Sequence, residues 1–393
     1  MAYAFFTQTL IKSLQDAHLP HTPSRVEVVM MTMVLFITHS MLVTLISGVA
    51  LQSTSLVSMM AVSLILSCIT LGIYSKHMRN AISLFTQKSF FHTWNVSTLT
   101  LPVKIIVVLF VFQLAISSTR SIIAPPNVFD TQVYHLAIPL MWLQDGHVSL
   151  TGDVPVERII YATKLSKALT MWYLRFGGPI EGVEFSQLPG YIVLLTSAYL
   201  ILRSLSTSRL WSIIGTLLVA SIPIIVMETS TLQDHLLLTG MHFALIALFF
   251  LIHDNRLNPR MSFFALALVS SLVLASKFSA PAHVVVIWGV CGLFFWKKCL
   301  RAFHSTSWIY FIVGGLSLLG IGCIWYIANF IQYGALFGPK HAQSALDNIF
   351  LKNIIAFPMR LFDNWHRYTP DLIRISGFGP VSYTHLDVYK RQG

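Results

Sequence analysis

Asp130 stands among groups that can trade protons, in the run Pro125-Pro126-Asn127-Val128-Phe129-Asp130-Thr131-Gln132-Val133-Tyr134-His135-Leu136. The two prolines stop the apolar stretch before them, so the carboxylate lies beyond a helix end beside Asn127, Tyr134 and His135. A carboxylate placed there can take the proton of an attacking hydroxyl, as a general base within reach of its nucleophile does. An aspartate after a turn is also a common helix N-cap, and the residues alone leave both readings open. The same choice applies to Asp234, in Glu228-Thr229-Ser230-Thr231-Leu232-Gln233-Asp234-His235. It is either a second acid of a site or a cap that favours the dipole of the helix starting at Leu236. Glu228 follows an apolar run and reads as solvated.

Cations form the other half of the pattern. Lys277 sits in the short connection Ser276-Lys277-Phe278-Ser279-Ala280-Pro281. From Thr163 to Phe176 the apolar residues have helical spacing. Leu165, Leu169, Trp172, Tyr173 and Phe176 fall on one side, with Lys164, Lys167 and Arg175 opposite. That pattern describes a helix lying in a membrane interface, its cations meeting anionic headgroups or holding the phosphate of a lipid-linked substrate. The carboxylates could bind a divalent cation, which needs several oxygen ligands, so a cation is an option and no metal ligand is assigned. The 15 histidines contain no His-x-x-x-His pair, and neither a Gly-x-x-x-x-Gly-Lys loop nor a Gly-x-Gly-x-x-Gly motif occurs, so soluble nucleotide chemistry has no support.

These residues need a scaffold, and composition says which kind. The 393 residues are 55% hydrophobic and 10% charged, with a mean hydropathy of +0.70, whereas soluble domains carry about a quarter charged residues. An all-α polytopic membrane protein is expected. Stretches near the length that crosses a bilayer run from Val28 to Leu51, Ser55 to Tyr74, Val103 to Ser118, Leu188 to Leu202, Leu210 to Met227, Leu236 to Ile252, Met261 to Ala275, Ala282 to Trp296 and Trp308 to Ile331, about nine helices. The first run is too long for a signal core and lacks a cleavage site, which predicts a retained helix. Cys68, Cys291, Cys299 and Cys323 lie in or beside apolar helices with no metal-like spacing and read as small hydrophobes.

The net charge of +11 resides in short loops rather than on one soluble face, which excludes a nucleic-acid partner and makes the charges topology signals. With a cytoplasmic N-terminus, the inside loops hold 13 basic residues, among them Lys76, Arg79, Arg203, Arg209, Lys297, Lys298 and Arg301, and the short outside loops hold only Lys277. This orientation puts Thr119 to Gln187, the Glu228 to His235 connection and everything after Ile331 on the outer or periplasmic face. Asp130, Glu228 and Asp234 then share one side of the membrane, where acids of a hydrophobic protein tend to be functional. The segment from Val381 to Gly393 is polar, lacks periodicity and resembles a translated sequencing adapter. A natural chain is therefore expected to continue beyond Pro380.

The residues also carry a family likeness. Pro125-Pro126, Phe129-Asp130 and Tyr134-His135-Leu136, followed by Trp142 and Gly146-His147, resemble the first outer loop of polytopic glycosyltransferases of the GT-C class. The branch they most resemble is that of dolichyl-phosphate-mannose-protein mannosyltransferases and lipid A aminoarabinose transferases. The likeness extends through Thr231-Leu232-Gln233-Asp234, Ala275-Ser276-Lys277-Phe278 and Asn329-Phe330-Ile331-Gln332-Tyr333-Gly334 to Pro339, covering roughly Val103 to Pro380. It implies a membrane catalytic domain over 103–380, preceded by two helices and a basic loop over 1–102. It implies inverting transfer of a sugar from a polyprenyl-phosphate donor to a lipid, glycan or protein acceptor. Asp130 matches the catalytic base of such enzymes and Asp234 a supporting acid. Lys277 lies where a cation would meet the donor phosphate, with Tyr134, His135, Lys164, Lys167 and Arg175 as further substrate-binding candidates. Thr131 departs from the family, because protein O-mannosyltransferases usually carry an adjacent acidic pair there.

Two other classes compete. A transporter places ionisable residues or broken helices near the bilayer midplane, whereas here the acids lie in loops. A polysaccharide polymerase or ligase would carry a long central outer loop rich in arginine, whereas here the long loop comes early.

Overall fold

The computed structural model describes residues 24–69, 101–123, 126, 130–150 and 163–338. The chain divides into two compact units, Met1–Phe337 and Gly338–Gly393, and the elements below belong to the first. The expectations for 339–393, including the adapter-like end, lie outside the described residues.

All regular structure among the described residues is helical. α1 (Arg25–Val43) opens on a capping box, in which Ser24 Oγ accepts from the Glu27 amide and Glu27 Oε2 accepts from the Ser24 amide, so two orphan donors of the first turn are satisfied. It runs on as a π-helix, Thr44–Ala50. α2 (Leu56–Ile69) follows, then α3 (Leu101–Ile123), a π-helix over Thr131–His135, α4 (Ala137–Asp145) and α5 (Leu165–Arg175). A 3-10 turn, Ile180–Gln187, leads into α6 (Leu188–Ser204). α7 (Arg209–Ala220), α8 (Pro223–Glu228), α9 (His235–His253) and α10 (Pro259–Ser276) come next. The last helices are α11 (Ala280–Phe294), α12 (Trp296–Ser305), α13 (Trp308–Ser317) and, after a π-helix over Leu318–Gly322, α14 (Ile324–Tyr333).

Helix occurs within each of the nine apolar stretches, as far as Ile69 for the second, but among the described residues fewer than nine have the length and apolarity of a span. Three helices among the described residues are long and apolar enough to cross a membrane: Val26–Ala50, Ile180–Ser204 and His235–His253. The bent pairs α11 with α12 (101°) and α13 with α14 (55°) raise the number to five if each is one span. The stretch expected from Leu210 to Met227 is broken at Ser221 and Ile222, where Pro223 begins α8. Proline has no amide proton to continue the ladder.

α6 lies among α1, α7 and α9, and α10 packs on α9, α12 and α13. One continuous core joins α1, α5, α6, α9 and α10 through Met30, Leu165, Val193, Leu245 and Leu272. Hydroxyls within these helices are satisfied locally, as when Thr38, Ser40, Thr44, Ser262 and Ser276 each donate to the carbonyl four residues back. An apolar surround makes such internal bonding obligatory.

α6 and α9 meet backbone to backbone at two glycines. A Cβ on Gly240 would lie 2.3 Å from the Gly190 carbonyl oxygen, and one on Gly190 would lie 2.8 Å from Leu237 Cα. Close helix contact through small residues is the usual device in membranes. Gly240→Ala is therefore expected to destabilise the chain by about 1–3 kcal/mol, the usual cost of overpacking. Gly289→Ala, where a Cβ meets nothing within 4 Å, should leave the melting temperature near that of the parent. Equal melting of both variants would show that the glycine contact is not a constraint.

Candidate functional site

The segment after Asp130 positions the site. Gln132 Nε2 donates to the Pro126 carbonyl at 2.8 Å, tying the turn to its start. The amide of Leu136 reaches the Thr131 carbonyl at 2.9 Å, a π-type i to i+5 bond that puts an extra residue in the turn. His135 at its end is 3% exposed. Gly146 ends α4 with φ +75, a left-handed conformation that suits glycine. The turn brings Val148 to the end of α1, where its amide donates to the Gly48 carbonyl at 3.0 Å. Thr54 Oγ1 also donates to the Trp142 carbonyl, so the end of the first span and α4 are held together.

Asp234 occupies the N-cap position of α9, yet its side chain makes no capping hydrogen bond. Lys167 Nζ of α5 lies 3.1 Å from Asp234 Oδ2, and His135 Nε2 lies 3.3 Å from Oδ1. The side chain of Lys167 is 2% exposed and that of Asp234 13%, so this is a buried ion pair joining α5 to α9. Burial favours a protonated Asp234, but Lys167 and His135 outweigh it and hold the carboxyl below the ordinary range. Burial, helped by Lys167, pushes the His135 imidazole down to about 3. It is therefore neutral at neutral pH and faces Asp234 Oδ1 at 3.3 Å as a polar neighbour. Its Nδ1 is buried without a partner among the described residues.

Asp130 likewise sits at an N-cap position without a side-chain capping bond. Its partner is the Tyr134 phenol, which donates to it. Burial first, and then Asp130, raises the phenol's pKa, so it keeps its proton. Tyr134 stacks at 4.4 Å on His135, and Lys167 Nζ stands 6.0 Å from the Tyr134 ring centre. Lys277 Nζ lies 3.1 Å from His235 Nδ1. Burial lowers its pKa and Asp234 opposes that change. Asp130, Glu228 and Asp234 all act on the Lys277 charge. The structure thus brings Asp130, Tyr134, His135, Lys167, Asp234, His235 and Lys277 into one cluster.

Several expectations are corrected. Neither aspartate caps its helix: Asp234 pairs with Lys167 across the fold, and Asp130 meets the Tyr134 phenol of its own turn. Glu228 is not solvated: it is 7% exposed and accepts from Thr231 Oγ1 at 3.0 Å, and burial raises its pKa. α5 does not lie with its cations toward headgroups, since Leu165 to Met171 are buried on every side. Lys164 is 1% exposed, and its Nζ donates to the Ser149 and Leu150 carbonyls and faces the Trp142 ring at 5.8 Å. Burial, reinforced by Lys167, lowers it to about 7. Arg175 Nε donates to the Thr54 carbonyl, so it secures the connection between the first span and α2. Lys164 and Arg175 therefore hold backbone in place, and Lys167 joins the cluster as a buried partner of Asp234. Periodicity finds the apolar face of α5 but carries no information about what covers the other one.

Glu184 was not foreseen. It is 5% exposed. Its only sequence signal is an acid between apolar neighbours after Pro179. Among the described residues no group of three or more His, Cys, Asp or Glu gathers as a metal site would.

No family model matches the chain, and neither a curated protein nor a solved structure does.

Proposed function

We propose that the chain is a GT-C-like membrane glycosyltransferase, with about nine membrane-spanning helices and its site on the outer face. It would move a sugar from a polyprenyl-phosphate donor to an acceptor hydroxyl. The observation that carries this reading is the pairing of a half-buried Asp130, free of any capping duty, with the partly exposed cation Lys277 in one cluster. The acceptor oxygen attacks the anomeric carbon while Asp130 takes its proton. The bond from that carbon to the phosphate oxygen breaks, and polyprenyl phosphate leaves with the electron pair. Lys277 balances the charge the phosphate gains, a task that suits a preorganised cation. Tyr134 donates to Asp130 and Lys167 fixes Asp234, which faces His135.

An apolar cleft of about 570 Å³ also supports a lipid-linked donor. It is lined by Leu35, Leu42, Ile46 and Val49 of the first span with Leu268 and Leu316 opposite. Val49 and Ala50 at its end adjoin Gly48, to which the Val148 segment bonds.

Lys277→Gln is expected to depress turnover at saturating lipid donor by roughly 100-fold, the scale of one lost charge-stabilising donor. Lys164→Gln should act mainly on stability, since that lysine holds carbonyls. A reconstituted transfer assay with purified polyprenyl-phosphate sugar separates them. The reverse ranking would move the phosphate site away from Lys277, and absence of transfer in the parent with any such donor would remove the reading altogether.

A transporter is the second reading, favoured by the break between α13 and α14 and by the pairing of His242 with His283 at 4.9 Å between α9 and α11. Solute flux in vesicles without sugar transfer would decide for it.

A further inference from the structure

α12 has a side for each of three surroundings. At about 100° per residue, Cys299, Ala302 and Phe303 fall in one sector, Trp296 and Leu300 in the next, and Lys297, Arg301 and His304 in the third, with Lys298 at its edge. Cys299 and Ala302 are buried against the bundle, where α12 packs on α9 and α10. Trp296 and Leu300 are exposed although apolar. Their sector continues the exposed apolar face of α11, whose Val286, Val290, Leu293 and Phe294 lead to the 101° bend, Phe294 being 80% exposed.

A helix that turns through a right angle where an apolar face ends, and then shows tryptophan beside lysine, lies at the boundary of hydrocarbon and water. Lys297 Nζ stands 5.7 Å from the Trp296 ring centre and Lys298 donates to Asn255 at 3.2 Å. Asp254, next to Asn255, meets His253 at 3.0 Å, and Glu27 pairs with Arg256. Among the described residues Lys297, Lys298 and Arg301 form no ion pair.

We propose that α12 is a docking ledge for anionic phospholipid: Lys297, Lys298 and Arg301 bind the headgroup phosphate while Trp296, Leu300 and the end of α11 take the acyl chains. The inference rests on the membrane reading and not on sugar transfer. Its test needs no substrate, so the two fail separately.

The full chain in neutral detergent is melted with added phosphatidylglycerol, phosphatidylcholine or water-soluble glycerol phosphate. Phosphatidylglycerol is expected to raise the melting temperature more than phosphatidylcholine does, salt should reduce the difference by screening, and glycerol phosphate should have no effect. The variant carrying Lys297→Gln, Lys298→Gln and Arg301→Gln should melt like the parent without lipid and lose more than half of the phosphatidylglycerol shift. Exchange of lysine for arginine, and of Arg301 for lysine, should keep it. If the triple variant does not fold, Arg301→Gln is read instead, with partial loss expected. An undiminished shift in these variants, equal shifts with both lipids, or an equal shift with glycerol phosphate would each overturn the proposal.

Discussion

Asp130→Asn is expected to cut sugar transfer by about 100-fold or more, the usual contribution of a positioned general base, while the protein is made and inserted in normal amounts. Asparagine keeps an oxygen that can accept from the Tyr134 phenol, and the side chain it replaces caps nothing, so the exchange isolates basicity. The comparison is made at equal membrane abundance with a saturating lipid donor. Near-normal transfer by the variant would leave Asp130 as a hydrogen-bond acceptor for Tyr134 and nothing more.

Asp234→Asn should act on the fold. It leaves the Lys167 ammonium, 2% exposed, without its counter-charge. Breaking a buried pair from one side costs about 3–5 kcal/mol. Thermal unfolding in detergent should show a large drop for the single variant and recovery of much of it when Lys167→Met is added, because no uncompensated charge then remains. A single variant that melts with the parent would mean that water reaches Lys167, and the cluster would not be the dry frame described above.

The helices were legible because an apolar stretch of sufficient length has few other options. The break at Pro223 was legible in principle, since proline inside a helical run marks an end. The π-turns were not, because nothing in Thr131 to His135 distinguishes a five-residue turn from a four-residue one. The acids and cations of the site were found by type and by shared loop placement. Their pairings were hidden: Lys167 lies on the polar side of a helix whose sequence fits a membrane surface equally well, and only the fold reveals that Asp234 meets it. The residues left capping open at both aspartates, and the structure decides against it at each. The bond between Asp234 and Lys167 depends on tertiary placement, whereas Tyr134, four residues after Asp130, lies within reach of a local reading.

The bridge between Lys167 and Asp234 spans 67 residues, and that separation sets an order of events during synthesis. At about 5–20 residues per second, Lys167 waits roughly 3–13 s for its partner. During that interval α6, α7 and α8 emerge and the ammonium must keep to water or to lipid phosphate. A chain halted before Gln233 would carry an unanswered charge on α5, so the pair can form only once α9 begins to emerge.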